Sequence, residues 1–148
     1  MATAPVTARE LAKRLVDRET STGNSKTTRA SSAALAGEGL YRALSRWIGS
    51  DGCHALFTRA RAQEQPGNRA LESLQLSPHH DPYIIGVQES IAEYGDDATA
   101  DAIEAMIVGM IELLGRLIGV DMATSLIERS LSEFAQGTPG PEKRRAKA

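Results

Sequence analysis

Aromatic side chains are scarce in this 148-residue chain: two Phe, three Tyr and one Trp. Sandwiches and barrels draw on β-branched and aromatic residues, so this poverty argues against an all-β fold and for helices built from Ala, Leu and Ile. Cysteine occurs once, as Cys53, which excludes an internal disulfide and a multi-cysteine zinc site. Long apolar runs are missing too. In the most apolar segment the longest uncharged stretch, Ala105 to Ile111, has seven residues, against the roughly 20 that a membrane-spanning helix needs. The opening residues, Met-Ala-Thr-Ala-Pro-Val-Thr-Ala-Arg-Glu, lack the apolar core of a secretory signal, so the expected location is the cytoplasm. Neither a glycine-rich phosphate loop nor a Gly-x-Ser-x-Gly elbow occurs, and the expectation is a chain that is no enzyme and holds no cofactor.

Positive charge is also absent from a long stretch. No Lys or Arg lies between Ala70 and Gly115, where Glu72, Asp81, Glu89, Glu93, Asp96, Asp97, Asp101, Glu104 and Glu112 all fall. The formal net charge of −2 conceals +3 over residues 1–30, −8 over 31–141 and +3 over 142–148. Such a middle repels nucleic acid. The last residues follow Gly137-Thr-Pro-Gly-Pro141 and read as a disordered basic tail over 137–148.

Helical punctuation divides the rest. Thr7-Ala-Arg-Glu10 has the form of a capping box, opening a helix with a narrow Leu11, Leu15, Val16 stripe that runs to about Glu19. Residues 20–32 are polar and small and read as a flexible linker, which makes 1–19 a detachable helical arm. A bundle domain over 33–136 comes next. Its first helix starts near Ser31 or Ser32, with Leu35, Leu40, Leu44, Trp47 and Ile48 as the buried face. Gly49 ends that helix, and Asp51 caps the next, whose inward residues are Cys53, Leu56, Phe57 and Ala60, with Arg59 and Arg61 outward. Residues 71–78 fit a short helix or an extended crossover equally. Asp81-Pro82 reads as a helix start leading to Gly95, with Ile84, Ile85, Val87 and Ile91 on its apolar side. Ala102 to Val120 reads as a central core helix. Its apolar face, with Ala105, Gly109, Met110 and Leu113, is the expected interface of a homodimer.

Residues 40–61 align without a gap on 110–131, with seven of 22 positions identical: Leu44/Leu114, Arg46/Arg116, Ile48/Ile118, Gly49/Gly119, Asp51/Asp121, Leu56/Leu126 and Arg59/Arg129. The shared unit is helix, Arg-x-Ile-Gly-x-Asp turn, helix. The glycine closes one helix, Asp51 or Asp121 caps the next, and so short a turn forces the two to pack together. The expected fold is therefore an all-α bundle of two pseudo-repeated hairpins plus accessory helices. These stretches, over about 32–62 and 100–135, resemble the repeated blocks of a group of small uncharacterised helical bacterial proteins. The resemblance implies a helical fold and a bacterial source, and no activity.

Residue types with chemical capability are few. His79-His80-Asp81 has metal-ligand types, but only His54 adds a third histidine, and the loop suits a plain polar turn. Glu89/Glu93 and Asp97/Asp101 share helix faces at i, i+4, yet no Glu-x-x-His accompanies them as in di-iron bundles. Cys53 and His54 are sequence neighbours and so point about 100° apart on a helix, which suits a core thiol better than a nucleophile and base. Arg116 to Arg129 has the outline of a helix-turn-helix, but the would-be recognition helix carries one Arg and two Glu, and the helix before it is too long and oily. The expected function is a protein-interaction or regulatory module acting on an unidentified protein partner and on itself. The alternatives are a DNA-binding regulator using the basic ends and a small-molecule sensor with a pocket between the repeats.

Overall fold

The computed structural model describes residues 8–22, 28–78 and 82–136. Among them are six α-helices: α1 (Ala8–Thr22), α2 (Arg29–Ile48), α3 (Ser50–Glu64), α4 (Val87–Tyr94), α5 (Asp96–Ile118) and α6 (Val120–Gln136). Short 3-10 turns over Gln65–Gly67 and Arg69–Ser73 lead into β1 (Gln75–Leu76), which pairs antiparallel with β2 (Ile84–Ile85). The fold is an all-α helical bundle. No helix among the described residues is long and apolar enough to cross a membrane.

Helix α5 is the axle. Ile103, Met106, Ile107 and Met110 are fully buried, and α1, α2, α3, α4 and α6 all pack against it. Its most apolar stretch is central, as its composition predicts. Helix α2 lies beside it in the same direction, because the two N-termini are joined. Asp96, the first residue of α5, accepts hydrogen bonds from the backbone N–H of Arg29 (3.2 Å) and Ala30 (2.9 Å). Thr28 Oγ1 accepts the Ser31 N–H at 3.1 Å, so the first three amides of α2 all have acceptors. The Arg29 guanidinium returns the contact, reaching Asp97 at 3.1 Å, Asp101 at 3.0 Å and Glu104 at 3.8 Å. Hydrogen bonds to Asp101 and Asp97 raise its pKa further.

Three helix pairs are joined by one glycine each, at Gly49, Gly95 and Gly119, with φ/ψ of 86/150°, 97/159° and 96/144°. Positive φ with ψ near 150° is closed to residues bearing a Cβ. Each glycine donates its N–H to the carbonyl four residues back and accepts from the amide four residues ahead. For Gly49 these are Ser45 O at 2.9 Å and Cys53 N at 3.0 Å, and Gly119 does the same with Gly115 and Ala123. The glycine is thus C-cap and N-cap at once. This corrects the expectation for Asp51 and Asp121: both sit inside the first helical turn, and α3 has no side-chain cap bond. Their charge still suits the helix dipole there.

Other expectations also change. Helix α1 is no detachable arm: Leu11, Ala12, Leu15 and Val16 are buried in the common core against α2, α5 and α6. Its narrow stripe is matched to a groove in the same domain. The expected linker over 20–32 shrinks, since α1 runs to Thr22 and α2 begins at Arg29, with Ala30 and Ser32 buried. Thr7 and the 137–148 tail lie outside the described residues. On α2 the inward face is Ala33, Ala36, Gly37, Leu40 and Leu44, whereas Leu35 and Trp47 are 49% and 47% exposed. Small residues win that face because they let α2 approach the Ile84 and Ile107 side chains, which come within 2.8 and 3.8 Å of where a Gly37 Cβ would stand. Ile84 and Ile85 are extended, not helical, and the helix begins only at Val87. Residues 71–78 combine both expected forms. Gly95 ends α4, and Cys53, Leu56, Phe57 and Ala60 face inward on α3, as their spacing predicts.

Because α1 completes the core, Leu15→Ala is expected to cost about 2–5 kcal/mol. Deletion of residues 1–22 is expected to abolish the cooperative thermal transition followed by circular dichroism. An unchanged melt after deletion contradicts the packing of α1.

Candidate interaction surface

The parallel course of α2 and α5 brings two glycine corners to one end of the bundle. From the Arg29–Asp96 junction both helices run roughly 30–35 Å, at 1.5 Å per residue, to Gly49 and Gly119. Near the Gly49 end of α2, the Arg129 guanidinium of α6 lies 5.5 Å from the centre of the Trp47 ring.

The Gly119 corner is oily on its outside. Leu117 is 69% exposed, Val120 58%, Met122 55% and Ile118 38%. Ile118, Gly119, Val120, Asp121, Met122 and Ser125 line a shallow open depression over it. Scattered exposed apolar residues are ordinary on a surface; four within six positions are not. At the Gly49 corner the corresponding apolar residue is Trp47, followed by Ser50 and Asp51. Exposed Arg116 and Asp121 stand on either side of Gly119, and exposed Glu112 lies one turn earlier.

The interface expected from the sequence does not form here. Met110 is 0% exposed and Leu113 6%, both inside the core. Gly109 faces α3, where a Cβ would stand 3.3 Å from Ala60 Cβ and 3.5 Å from a Glu64 carboxylate oxygen. Ala105 is half-buried. Close approach at these small residues is used within the chain, by α3 on α5, and so they offer no face to a second copy.

The chemically capable side chains gather elsewhere, where the two-stranded ladder crosses α2 and α3. Glu38 is only 7% exposed, and its carboxylate accepts the backbone N–H groups of Tyr83 (2.9 Å) and Ile84 (2.7 Å). It acts as a third strand would, holding β2 to α2. Arg42 Nη2 lies 3.8 Å away from the same carboxylate. The Tyr83 ring stacks on Tyr41 with centroids 3.7 Å apart and meets Phe57 edge-on at 5.6 Å. The Tyr83 hydroxyl and His54 Nδ1 share a hydrogen bond of 2.8 Å. Burial pushes the Tyr83 phenol well above its ordinary pKa and the Cys53 thiol up to about 12. The thiol lies 3.7 Å from the Tyr41 carbonyl, its acceptor. A buried thiol so hard to ionise is a core residue rather than a nucleophile. Sequence reasoning missed Glu38. The signal available was its position between Gly37 and Gly39, where small neighbours leave room for another segment to close over the helix.

His79, His80 and Asp81 lie outside the described residues. No group of three metal-ligating side chains occurs among the described residues. Asp97 and Asp101 are engaged by Arg29, and Glu93 accepts from Ser73 Oγ at 3.4 Å. No protein family, no curated protein and no solved structure matches the chain.

Glu38→Ala leaves two buried amides without acceptors and is expected to cost about 2–4 kcal/mol in thermal or urea unfolding. Cys53 and Tyr83 both hold their protons more tightly folded than unfolded. The Cys53 contribution is therefore complete below the ordinary thiol pKa of 9.0 and is lost as pH rises towards about 12, while that of Tyr83 begins to be lost only above the ordinary phenol pKa of 10.0. Alkaline titration of stability should fall less steeply in Cys53→Ala than in the parent. An equal slope contradicts the assignment.

Proposed function

We propose that the protein works by binding protein, as an interaction or regulatory module whose docking surface is the Gly119 end of the bundle. The observation that carries this is the exposure of Leu117, Ile118, Val120 and Met122 together at one corner. Apolar side chains left in water contribute nothing to the fold of the single chain, and their removal from water is the usual source of association energy. The sites with chemical residue types are engaged in holding the fold: Glu38 on β2, Cys53 in the core, His54 on Tyr83. A role in the cytoplasm of a bacterial cell fits the single cysteine and the resemblance of the corner sequences. The alternative of DNA binding is opposed by charge, because the 70–115 stretch supplies no Lys or Arg and leaves Glu72, Glu89, Glu93 and Glu112 exposed to any approaching phosphate.

If the corner serves docking and not folding, Leu117→Asp with Met122→Asp leaves helicity intact and shifts stability by no more than about 0.5 kcal/mol per site. The same protein should lose the fluorescence enhancement of an added apolar dye that the parent shows. A large drop in melting temperature would place the corner in the core and end this reading, and salt-sensitive gel shifts on duplex DNA would replace it with the regulator.

A further inference from the structure

We infer that the occupant of this end is a second copy of the same chain, packed corner to corner about a two-fold axis; this rests on the docking surface proposed above and names its partner. Charge selects the partner. The stretch from Ala70 to Gly115 supplies only acids; Arg29 engages Asp97, Asp101 and Glu104, but Glu72, Glu89 and Glu93 stay exposed, so two copies meeting through that region repel. Around Gly119 the signs are mixed. Arg116 precedes the apolar corner and Asp121 comes after it, both exposed, on opposite sides of the turn. A two-fold axis through the corner turns one copy's Arg116 towards the other copy's Asp121, twice, while Leu117, Val120 and Met122 close on their own counterparts. Self-complementarity of this kind needs one patch carrying both signs around an apolar centre.

Other occupants fit less well. An anionic lipid surface is drawn by a basic cluster, and here Arg116 is offset by Asp121 and Glu112.

The test is light scattering coupled to size-exclusion chromatography on the full chain, from about 1 to 100 µM. The expected species has twice the 15.8 kDa of one chain. Leu117→Asp should give a monomer. Arg116→Asp and Asp121→Arg should each weaken the dimer roughly tenfold, since each reversal disturbs two symmetric rim pairs. The double reversal should restore it. A monomeric parent at 100 µM overturns the second copy as partner. So does a dimer that survives Leu117→Asp, or one in which the double reversal is no better than the single ones. A monomeric parent whose corner tolerates Asp without loss of stability removes only this inference. A corner whose substitution melts the fold removes the docking surface as well.

Discussion

Two long helices lying side by side in the same direction place like dipole ends together, and that arrangement needs a counter-charge where the N-termini meet. Asp96 supplies it. One carboxylate sits at the first turn of its own helix and at the same time takes the first two amides of α2. Arg29, the first residue of α2, then spans the acids of the first turns of α5. The pairing fixes the register as well as the direction. Gly37 comes to lie against Ile107, the same 70-residue offset that aligns 40–61 with 110–131. The two glycine corners reach one end of the molecule for this reason alone.

The corners themselves are economical. A single residue at positive φ reverses the chain and satisfies the backbone at both helix ends, with no side chain involved. The form recurs at Gly95, where the flanking sequence differs, so the turn is set by glycine geometry, and the acid that follows within two residues suits the dipole of the next helix. The helices that leave the Gly49 and Gly119 corners are placed differently. Helix α3 lies along α5 and covers Gly109, whereas α6 packs on α5 and also touches α2, with Arg129 over the Trp47 ring. The residues flanking Gly119 are left exposed. Across the Gly95 corner the buried hydroxyls of Ser90 and Thr99 pair at 2.8 Å, and Ser90 also reaches Ala70 O, so that junction is tied into the core.

Periodicity was enough to read the helical class, the central place of α5, the inward residues of α3 and all three corner glycines. It failed where packing between elements decides. Leu11, Leu15 and Val16 make a stripe too narrow to stand alone, and only the tertiary groove shows that the stripe belongs to the main core. On α2, apolarity pointed to Leu35 and Trp47, yet close approach selects Ala33, Ala36 and Gly37, whose small size is the useful property. Ile84 and Ile85 carry the apolar weight of a helix, but the Glu38 carboxylate binds the backbone next to them and holds it extended. The apolar interface expected at Ala105, Gly109, Met110 and Leu113 was displaced for the same reason: residues that permit close contact were used by the chain's own helices. The exposed patch at Leu117 to Met122 lies just beyond, where the core ends.

The parallel pairing is tested most directly by a spin-label distance. Labels placed at Ser50→Cys and Asp121→Cys in a Cys53→Ala chain, diluted with unlabelled protein, report the separation of the two corners. Helices packed side by side in one direction, with axes about 8–10 Å apart, predict a label separation below about 25 Å. A separation beyond about 35 Å, the length of α5 itself, would mean that the corners lie at opposite ends and would contradict the account.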